Sequence, residues 1–458
     1  MSFTSRRAAP VGVLTIGRKR PGFDQQWNET TRCRAADALR ASGAGTAGLD
    51  DVSVVDEQTA RAALDRLRQT GCATLLVLQP SMGNGQLALT VAQRWEGPVV
   101  LWATPERLDA GKVSSCSLVA QHLWASLLRQ LRRPFEFVYG EPSDDATRGD
   151  LRSALLVCGA WSTAHGARVG IVGTHAPGFV SMEADPFAMQ QQLGVQLQRL
   201  SQPQFIERVQ AVSEPALRED VERVRALNLP MNGVTDADLP TNSRYYLAIR
   251  ELLAEEQLDA LAIQEWPEMP NVLGQWPYLA LARLADEGHV VALEGDVDGA
   301  VTSLLGPPLG AGIGYLTDWL EHDDRTIHFW HPGMAPLAWM DGPSLGRHFN
   351  IDRPLVVDAP LRADQSVTVA RLWRCDGRYF AMACEGRTLP NPRRLTGNTA
   401  LVEITEGTLP GRDVHETFDM LLHAGMPHHV GVFLGHHREL FRRLARMLGV
   451  RWMGGASV

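Results

Sequence analysis

Short apolar runs alternate with amphipathic helical segments through the first two thirds of the chain. The first block contains the runs VGVLTIG, TLLVLQP and VVLWATP, with helical segments such as LVAQHLWASLLRQLRR between or after them. A second block opens with RVGIVGTHAPGF and continues through ALREDVERVRAL and DALAIQEWP. Strands that alternate with helices of this length predict a parallel sheet covered by helices. The pattern therefore predicts two successive α/β domains, with their junction between Gly149 and Arg168.

The pattern changes after about Met340. The β-like segments PLVVDAPL, SVTVARLWRC, RYFAMACEG and TALVEIT lie between turns rich in Gly, Pro, Asn and Asp. Helical periodicity returns only in HRELFRRLARMLGV. We therefore predict a third, β-rich domain with a terminal helix. The expected domains are residues 1–165, 166–345 and 346–458.

Composition narrows the choice of partners and compartment. The 458 residues are 45% apolar and 21% charged, as in an ordinary globular protein. A net charge of −8 without a long basic run argues against nucleic acid as a partner. No apolar stretch approaches the roughly 20 residues that span a bilayer, so no membrane partner is expected. The six cysteines are scattered without a CxxC pair, which predicts reduced thiols and a cytoplasmic protein.

Three polar residues follow strand-like runs in the second block. Glu294 follows HVVAL, Asp318 comes shortly after GIGYL, and His331 closes TIHFW. In an open α/β sheet, ligands bind beyond the carboxyl ends of the strands, so we predict one shared pocket. Carboxylates with an imidazole suit a divalent ion such as manganese, cobalt or magnesium better than a closed zinc site. The alternative is that the acids only cap helices or turns.

Neighbouring motifs give weaker evidence for functional residues. Asp296 and Asp298 lie in the first turn of a predicted helix, where capping is the preferred interpretation. His428 and His429 precede the run VGVFLG, and adjacent strand residues face opposite ways, so we expect only His429 to enter the pocket readily. The loop IGRKRPGFDQQW, which contains Arg20, is either an anion- or hydroxyl-binding loop or a solvated turn. The chain contains no P-loop, GxSxG or HExxH motif.

Taken together and in order, several segments resemble the L-fucose isomerase family, which includes the arabinose isomerases. The matching pieces are VGVLTIGRKRPGFDQQW, PVVLW, FEFVYGEP, RVGIVGTHAPGF, ALEGDVDGAVTSLL, FWHPGMAP and HHVGVFLG. They run over nearly the whole chain. The chain departs from the family at IQEWPEMPNVLGQWP and at SMGNGQ, which both fall in expected substrate-facing loops. The resemblance therefore leaves the identity of the sugar open.

The resemblance implies two Rossmann-like α/β domains followed by a β-rich C-terminal domain. It implies an aldose–ketose isomerase that uses Mn²⁺, with Co²⁺ or Mg²⁺ as alternatives, and that forms a homo-oligomer, a trimer or a hexamer. The metal ligands carry over to Glu294, Asp318 and either His429 or His428. His331 is implied as a substrate contact, or less favourably as a further ligand. We expect Arg20 and Trp27 to contact the sugar substrate across a subunit interface.

The implied reaction passes through an enediol or enediolate, so it needs a base on one carbon and an acid on its neighbour. Glu294 and Asp318 are the expected pair, without an assignment of which is which. The alternative function is a non-catalytic sugar-binding or regulatory protein on the same fold, which would not need two acids on one metal. A nucleotide-dependent oxidoreductase is disfavoured because the glycine-rich phosphate fingerprint GxGxxG is missing.

Overall fold

The protein is described by a computed structural model over residues 9–391 and 395–454. The chain divides into two compact units, with the boundary between Thr163 and Ala164. The division into three domains at 165/166 and 345/346 stays a prediction.

The N-terminal unit is built on a parallel sheet. Its five strands are β1 (Val11–Thr15), β2 (Thr46–Ala47), β3 (Thr74–Leu78), β4 (Val99–Ala103) and β5 (Phe135–Tyr139). They are arranged in the order β2-β1-β3-β4-β5. The helices are α1 (Gln25–Ala41), α2 (Glu57–Gln69), α3 (Gly85–Arg94), α4 (Ser117–Gln130) and α5 (Asp145–Ala164). Every residue of β1, β3 and β4 is buried, as expected for parallel strands that are covered on both faces.

The second unit begins with another parallel sheet. Its four strands are β6 (Arg168–Val172), β7 (Gln196–Leu200), β8 (Ala260–Ile263) and β9 (Val290–Ala292), in the order β7-β6-β8-β9. The accompanying helices are α6 (Pro186–Ala188), α7 (Gln202–Ala211), α8 (Glu214–Ala226), α9 (Leu239–Glu255), α10 (Glu268–Val272), α11 (Tyr278–Asp286) and α12 (Val297–Leu304). The loops after β6, β8 and β9 emerge at one edge of this sheet because the strands are parallel.

The same unit continues into a largely antiparallel sheet. Its strands are β10 (Tyr315–His322), β11 (Thr326–His331), β12 (Ser344–Arg347), β13 (Pro354–Pro360), β14 (Ser366–Cys375), β15 (Arg378–Leu389), β16 (Asn398–Ile404), β17 (His429–Leu434) and β18 (Arg451–Trp452). The order is β12-β13-β16-β11-β10-β17-β14-β15-β18. A further pairing of β15 with β16 closes the central strands into a barrel. The remaining helices are α13 (Val414–His423) and α14 (Arg438–Leu448).

The predicted fold class is confirmed: parallel α/β sheets come first and a β-rich region with a terminal helix comes last. One element was missed, because α13 interrupts a region for which we predicted no helix before α14. Its start is signalled by Asp413, which accepts a hydrogen bond from the N–H of Glu416 at 2.7 Å. The six cysteines all lie in described residues and form no disulfide. No helix in the described ranges has the length and apolar character needed to cross a membrane.

Candidate active site and metal centre

Glu294 lies just beyond β9 in a backbone conformation that is rare for a residue with a side chain. Its φ is 57°, a left-handed value that costs of order 1–3 kcal/mol unless the surroundings hold it. Its N–H donates to Glu265 Oε2 at 2.6 Å, and its carbonyl oxygen accepts from the N–H of Ala176 at 2.8 Å. The next residue must be glycine, because a Cβ on Gly295 would lie 2.1 Å from the carbonyl oxygen of Thr174. The loops after three parallel strands thus fix this turn.

The side chain of Glu294 is held at one oxygen and open at the other. The indole N–H of Trp266 donates to Oε1 at 3.2 Å. Oε2 accepts no hydrogen bond from any described residue. It lies 3.4 Å from Nε2 of His429 and 3.8 Å from Nε2 of His428. The hydrogen bond to Oε1 therefore orients the carboxylate so that Oε2 faces the two imidazoles.

Asp318 reaches the same point from the barrel. It lies opposite His429 in the antiparallel pair β10–β17, and directly opposed residues project from the same face. Its Oδ1 is 3.5 Å from His429 Nε2 and makes no hydrogen bond to a described residue. Asp318 is therefore inside an antiparallel strand and not beyond the end of a parallel one.

The predicted position at the strand ends of an open parallel sheet is right for Glu294 and wrong for the other two residues. Asp318 lies within β10, and His331 is the last residue of β11, so both belong to the antiparallel sheet. A short apolar run does not reveal whether its strand pairs in parallel, which explains the error. The pocket instead brings one parallel-strand loop together with barrel strands of the same unit.

Both late histidines approach the acids, so the prediction that only one could readily enter the pocket is wrong. His429 is the first residue of β17 and is fully buried, whereas 39% of the His428 side chain is exposed. His428 Nε2 still lies 3.8 Å from Asp318 Oδ1, and its ring packs edge-on against Phe179 at 4.9 Å between centroids. The alternation rule does not apply because His428 precedes the strand.

His331 is buried beside this group. Its ring centroid is 5.5 Å from that of His429 and 6.3 Å from that of Tyr278. Nδ1 of His331 makes no hydrogen bond to a described residue. Burial lowers the pKa of His331 to about 4, so its imidazole is neutral at neutral pH.

The convergent atoms fit a divalent ion. Glu294 Oε2, Asp318 Oδ1, His429 Nε2 and His331 Nδ1 are all buried without a hydrogen bond among the described residues. Ligand atoms of Glu294, His331 and His429 lie within 4.8 Å of one another, and so do those of Asp318, His428 and His429. Each unsatisfied buried polar group costs about 1–3 kcal/mol, so such a set needs a common partner. Carboxylate oxygens with imidazole nitrogens suit the ions that the sequence predicted.

The charges of these side chains are paired. Burial alone would raise the pKa of Glu294, but the neighbouring imidazoles of His428 and His429 hold it well below its usual value. Burial would lower the pKa of His429, but Asp296 and the two site acids raise it to about 10. At neutral pH the protonated ring therefore faces the carboxylates, and it must release the proton on Nε2 before that nitrogen can bind an ion.

Several residues around the site were missed by the sequence analysis. Glu265 is buried, and burial together with the charge of Glu294 raises its pKa to about 8. Its Oε1 lies 3.5 Å from the hydroxyl of Tyr278. Arg371 was not considered, and Asp296 was interpreted as a cap only. The cap is present, because the N–H of Gly299 donates to Asp296 at 2.8 Å. The position of Glu265 just after β8 was a signal that the strand-end argument could have used.

Arg20 and Trp27 lie in the N-terminal unit. Arg20 donates from Nε to the carbonyl oxygen of Met82 at 2.9 Å, which ties the loop after β1 to the loop after β3. The guanidinium of Arg34 lies over the Trp27 ring at 5.1 Å. Their expected role as substrate contacts stays a prediction.

Comparisons with known proteins show that the chain is similar to sugar isomerases. Residues 12–116 match the family model of the fucose/sulfoquinovose isomerase N-terminal domain. The sulfoquinovose isomerase of Priestia megaterium is 24% identical over 446 residues, which cover 96% of this chain and 98% of the relative. That of Alkalicoccus urumqiensis is 26% identical over 81% of this chain and 83% of its own length. The L-arabinose isomerase of Thermotoga maritima is 24% identical over 42% of this chain and 40% of its own length.

Proposed function

From its resemblance to the L-fucose isomerase family, which these comparisons confirm, we propose that the chain is a metal-dependent aldose–ketose isomerase. The enzyme class, a sugar isomerase, follows from the named relatives. The metal, the mechanism, the substrate and the residues are the proposal. We place Mn²⁺, or alternatively Co²⁺ or Mg²⁺, at Glu294, Asp318, His429 and His428.

One observation carries the proposal. Two carboxylates and an imidazole from three different segments present atoms without hydrogen bonds that are close enough to bind one ion. Glu294 Oε2 and Asp318 Oδ1 lie 3.4 and 3.5 Å from His429 Nε2. A sugar-binding protein needs donors and acceptors for hydroxyl groups, and it does not need two buried acids with unsatisfied oxygens. The arrangement therefore favours catalysis over the alternative of a non-catalytic sugar-binding or regulatory protein.

The ion, when bound, supplies positive charge that polarises a carbonyl and neutralises the charge that develops on the sugar oxygens. The chain supplies the proton transfer. One of Glu294 and Asp318 removes a proton from the carbon next to the carbonyl, and the other delivers a proton to the former carbonyl carbon. The hydroxyl proton of the first carbon is transferred to the former carbonyl oxygen, so each C–H and O–H bond that breaks is matched by one that forms. The electron pair of the broken C–H bond forms the double bond of an enediolate and then the new C–H bond. The sugar is therefore neither oxidised nor reduced overall.

The relatives suggest the first substrate to test. Sulfoquinovose isomerases align with this chain over 81% to 96% of its length, so sulfoquinovose, a sugar with a sulfonate group, is our first choice. His331 is proposed to contact the substrate next to the metal ligands. We propose a cytoplasmic homo-oligomer, a trimer or a hexamer, without nucleic acid or membrane partners.

Arg20 and Trp27 are proposed to complete the substrate site across a subunit interface. Arg20→Ala should raise the KM and leave the metal content unchanged. Mixing Arg20→Ala subunits with Glu294→Gln subunits, each nearly inactive alone, should restore part of the activity if sites are shared. Verified mixed oligomers without recovery would contradict the shared site.

The proposed activity is tested by incubating the metal-loaded protein with sulfoquinovose, L-fucose and L-arabinose and following ketose formation by NMR. We expect conversion of at least one aldose, most rapidly sulfoquinovose. The matched control is Glu106→Gln, which changes a carboxylate of the N-terminal unit that is not among the proposed metal ligands. Binding of a sugar without conversion, in protein shown to hold its ion, would favour the non-catalytic alternative.

A further inference from the structure

Asp296 sits behind His429 with every acceptor position occupied. Its Oδ1 accepts from the N–H of Gly299 at 2.8 Å and from Arg371 Nη2 at 2.9 Å. Its Oδ2 accepts from Arg371 Nη1 at 2.7 Å and meets Nδ1 of His429 at 2.9 Å. Both side chains of the ion pair are only 1% exposed. The sequence explains only one of these four contacts, the helix cap.

These four contacts define which nitrogen of His429 is available. Three of the four positions accept from N–H groups of Gly299 and Arg371, which can only donate, and a carboxylate in a bidentate pair with a guanidinium offers only an acceptor at the fourth. Nδ1 of His429 must therefore be the donor in its contact with Asp296. Nε2 is then the nitrogen that can offer a lone pair, and it is the one that faces Glu294 and Asp318.

Arg371 explains why the carboxylate can remain charged in the core. Burying a charge is costly unless an opposite charge is paired with it. The bidentate guanidinium of Arg371 supplies the opposite charge and fixes the carboxylate plane. Gly299 leaves room for this arrangement, since a Cβ there would lie 2.5 Å from Asp296 Oδ2 and 2.8 Å from Arg371 Nη1.

We propose that Asp296 and Arg371 are positioning residues for the metal centre, which act through Nδ1 of His429 to aim its Nε2 at the ion. This inference rests on the proposed metal-dependent function. Neither residue is proposed to touch the ion or the sugar. Histidine ligands of metals commonly donate their second nitrogen to a carboxylate, and loss of that partner costs about 10–100-fold in metal affinity.

The chain contains a matched control for a merely structural role. Asp220 and Arg283 form a second buried bidentate pair, with N–O distances of 2.7 and 2.9 Å. Arg283 also lies over the ring of Tyr246 at 3.9 Å, and within the described residues neither member of the pair forms a hydrogen bond or ion pair with a proposed metal ligand. Breaking either pair should destabilise the fold, but only the Asp296–Arg371 pair should change the metal centre.

The experiment compares Asp296→Asn and Arg371→Met with Asp220→Asn and Arg283→Met. Mn²⁺ affinity is measured by calorimetric titration of metal-free protein, and thermal unfolding is measured in EDTA. We expect the Asp296 and Arg371 variants to bind Mn²⁺ about 10–100-fold more weakly than the parent. The control variants should lose comparable thermal stability and keep the Mn²⁺ affinity of the parent within about threefold.

Two further variants separate positioning from damage to the fold. Asp296→Asn introduced into His429→Ala should cause no additional loss of Mn²⁺ affinity, because the residue through which it acts is already gone. Gly299→Ala keeps every charge and should still weaken Mn²⁺ binding by displacing the carboxylate. Gly299→Ala also tests the positioning role if Asp296→Asn does not fold.

The outcomes distinguish this inference from the proposed function. A parent protein that binds none of Mn²⁺, Co²⁺ and Mg²⁺ would contradict the metal-dependent function itself. A parent that binds Mn²⁺, with Asp296, Arg371 and Gly299 variants that bind it equally well, would overturn only the positioning role. Equal losses in the control pair would also overturn it, because the effect would then be a general consequence of lower stability.

Discussion

Two glutamates that follow parallel strands have opposite surroundings. Glu106 comes shortly after β4 in the N-terminal unit, and its carboxylate accepts from the N–H and hydroxyl groups of both Ser114 and Ser115 at 2.6 to 2.9 Å. Glu294 comes shortly after β9 in the other unit, and its Oε2 accepts no hydrogen bond from any described residue. The same residue type at equivalent strand ends is satisfied in one case and open in the other.

The difference separates a carboxylate with a structural role from the one that we propose to be functional. Burial alone would raise the pKa of Glu106, but four hydrogen bonds from the two serines lower it to about 2 and leave nothing for a ligand. Glu294 is kept in a strained conformation with an open oxygen that faces two imidazoles. Whether each polar atom has a hydrogen-bond partner therefore says more about function than whether the residue follows a strand.

The largest expected contrast is in activity. Glu294→Gln should lower kcat/KM by about 10³-fold or more, because it removes both a metal ligand and a member of the proton-transfer pair. Glu106→Gln should stay within about threefold of the parent. The measurement is aldose conversion by matched preparations, with circular dichroism as the check on folding. Comparable losses in both variants would remove the distinction between the two carboxylates.

The second contrast lies within the site, between its two late histidines. His429→Ala should weaken Mn²⁺ binding by more than the roughly 10–100-fold expected when only a ligand's outer partner is lost, since Nε2 of this buried ring faces both acids. His428→Ala should weaken it by less than about tenfold, because this ring lies farther from both carboxylates and is partly solvated. Calorimetric titration measures both. A larger loss in His428→Ala would reverse the assignment.

A smaller effect is expected from the donor that holds Glu294. Trp266→Phe keeps an aromatic ring near Phe179 and removes the N–H that bonds Glu294 Oε1 at 3.2 Å. A hydrogen bond to a charged group contributes about 1.5–3 kcal/mol, so we expect kcat to fall by about tenfold or more. Trp373→Phe is the matched control, since its N–H bonds the carbonyl oxygen of Ala424. Equal kcat values for both variants would deny Trp266 a role in holding the acid.

The smallest effect is on stability and its dependence on pH. Because the folded pKa of Glu106 lies below that of a free glutamate, its stabilisation is present above about pH 4.5 and is lost as pH falls towards about 2. Glu106→Gln should therefore destabilise the protein by about 1–2 kcal/mol at pH 6, after allowance for solvent screening, and by roughly half as much at pH 3. Urea unfolding at the two pH values measures this. A constant difference would mean that the charge of Glu106 contributes nothing.

The sequence predicts the fold well and the site only in outline. Alternating apolar runs and helices identify both α/β regions, and the dense β segments identify the barrel region. The helix α13 was missed because its cap, Asp413, lies within a turn-rich stretch. For the site, the acids and histidines were named, but Asp318 and His331 were expected at the wrong kind of strand. Pairing direction depends on distant partners that a local pattern does not contain.

The residues that support the proposed ligands were not predicted from the sequence, for a related reason. Arg371 meets Asp296 only because β14 packs against α12, at a sequence separation of 75 residues. Glu265 reaches the N–H of Glu294 across 29 residues. The position of Glu265 after β8 is visible in the sequence, but its contact with Glu294 and that of Arg371 with Asp296 have no local motif and depend on the folded chain.

The central claim is that the open atoms of Glu294, Asp318 and His429 hold one divalent ion on which isomerisation depends. The most direct measurement is a Mn²⁺ titration of metal-free protein in which bound ion and aldose conversion are followed together. We predict one ion per chain, activity that rises in proportion to bound ion, and neither binding nor activity in Glu294→Gln. Full conversion by protein verified to be metal-free, or undiminished Mn²⁺ binding by Glu294→Gln, would contradict the account.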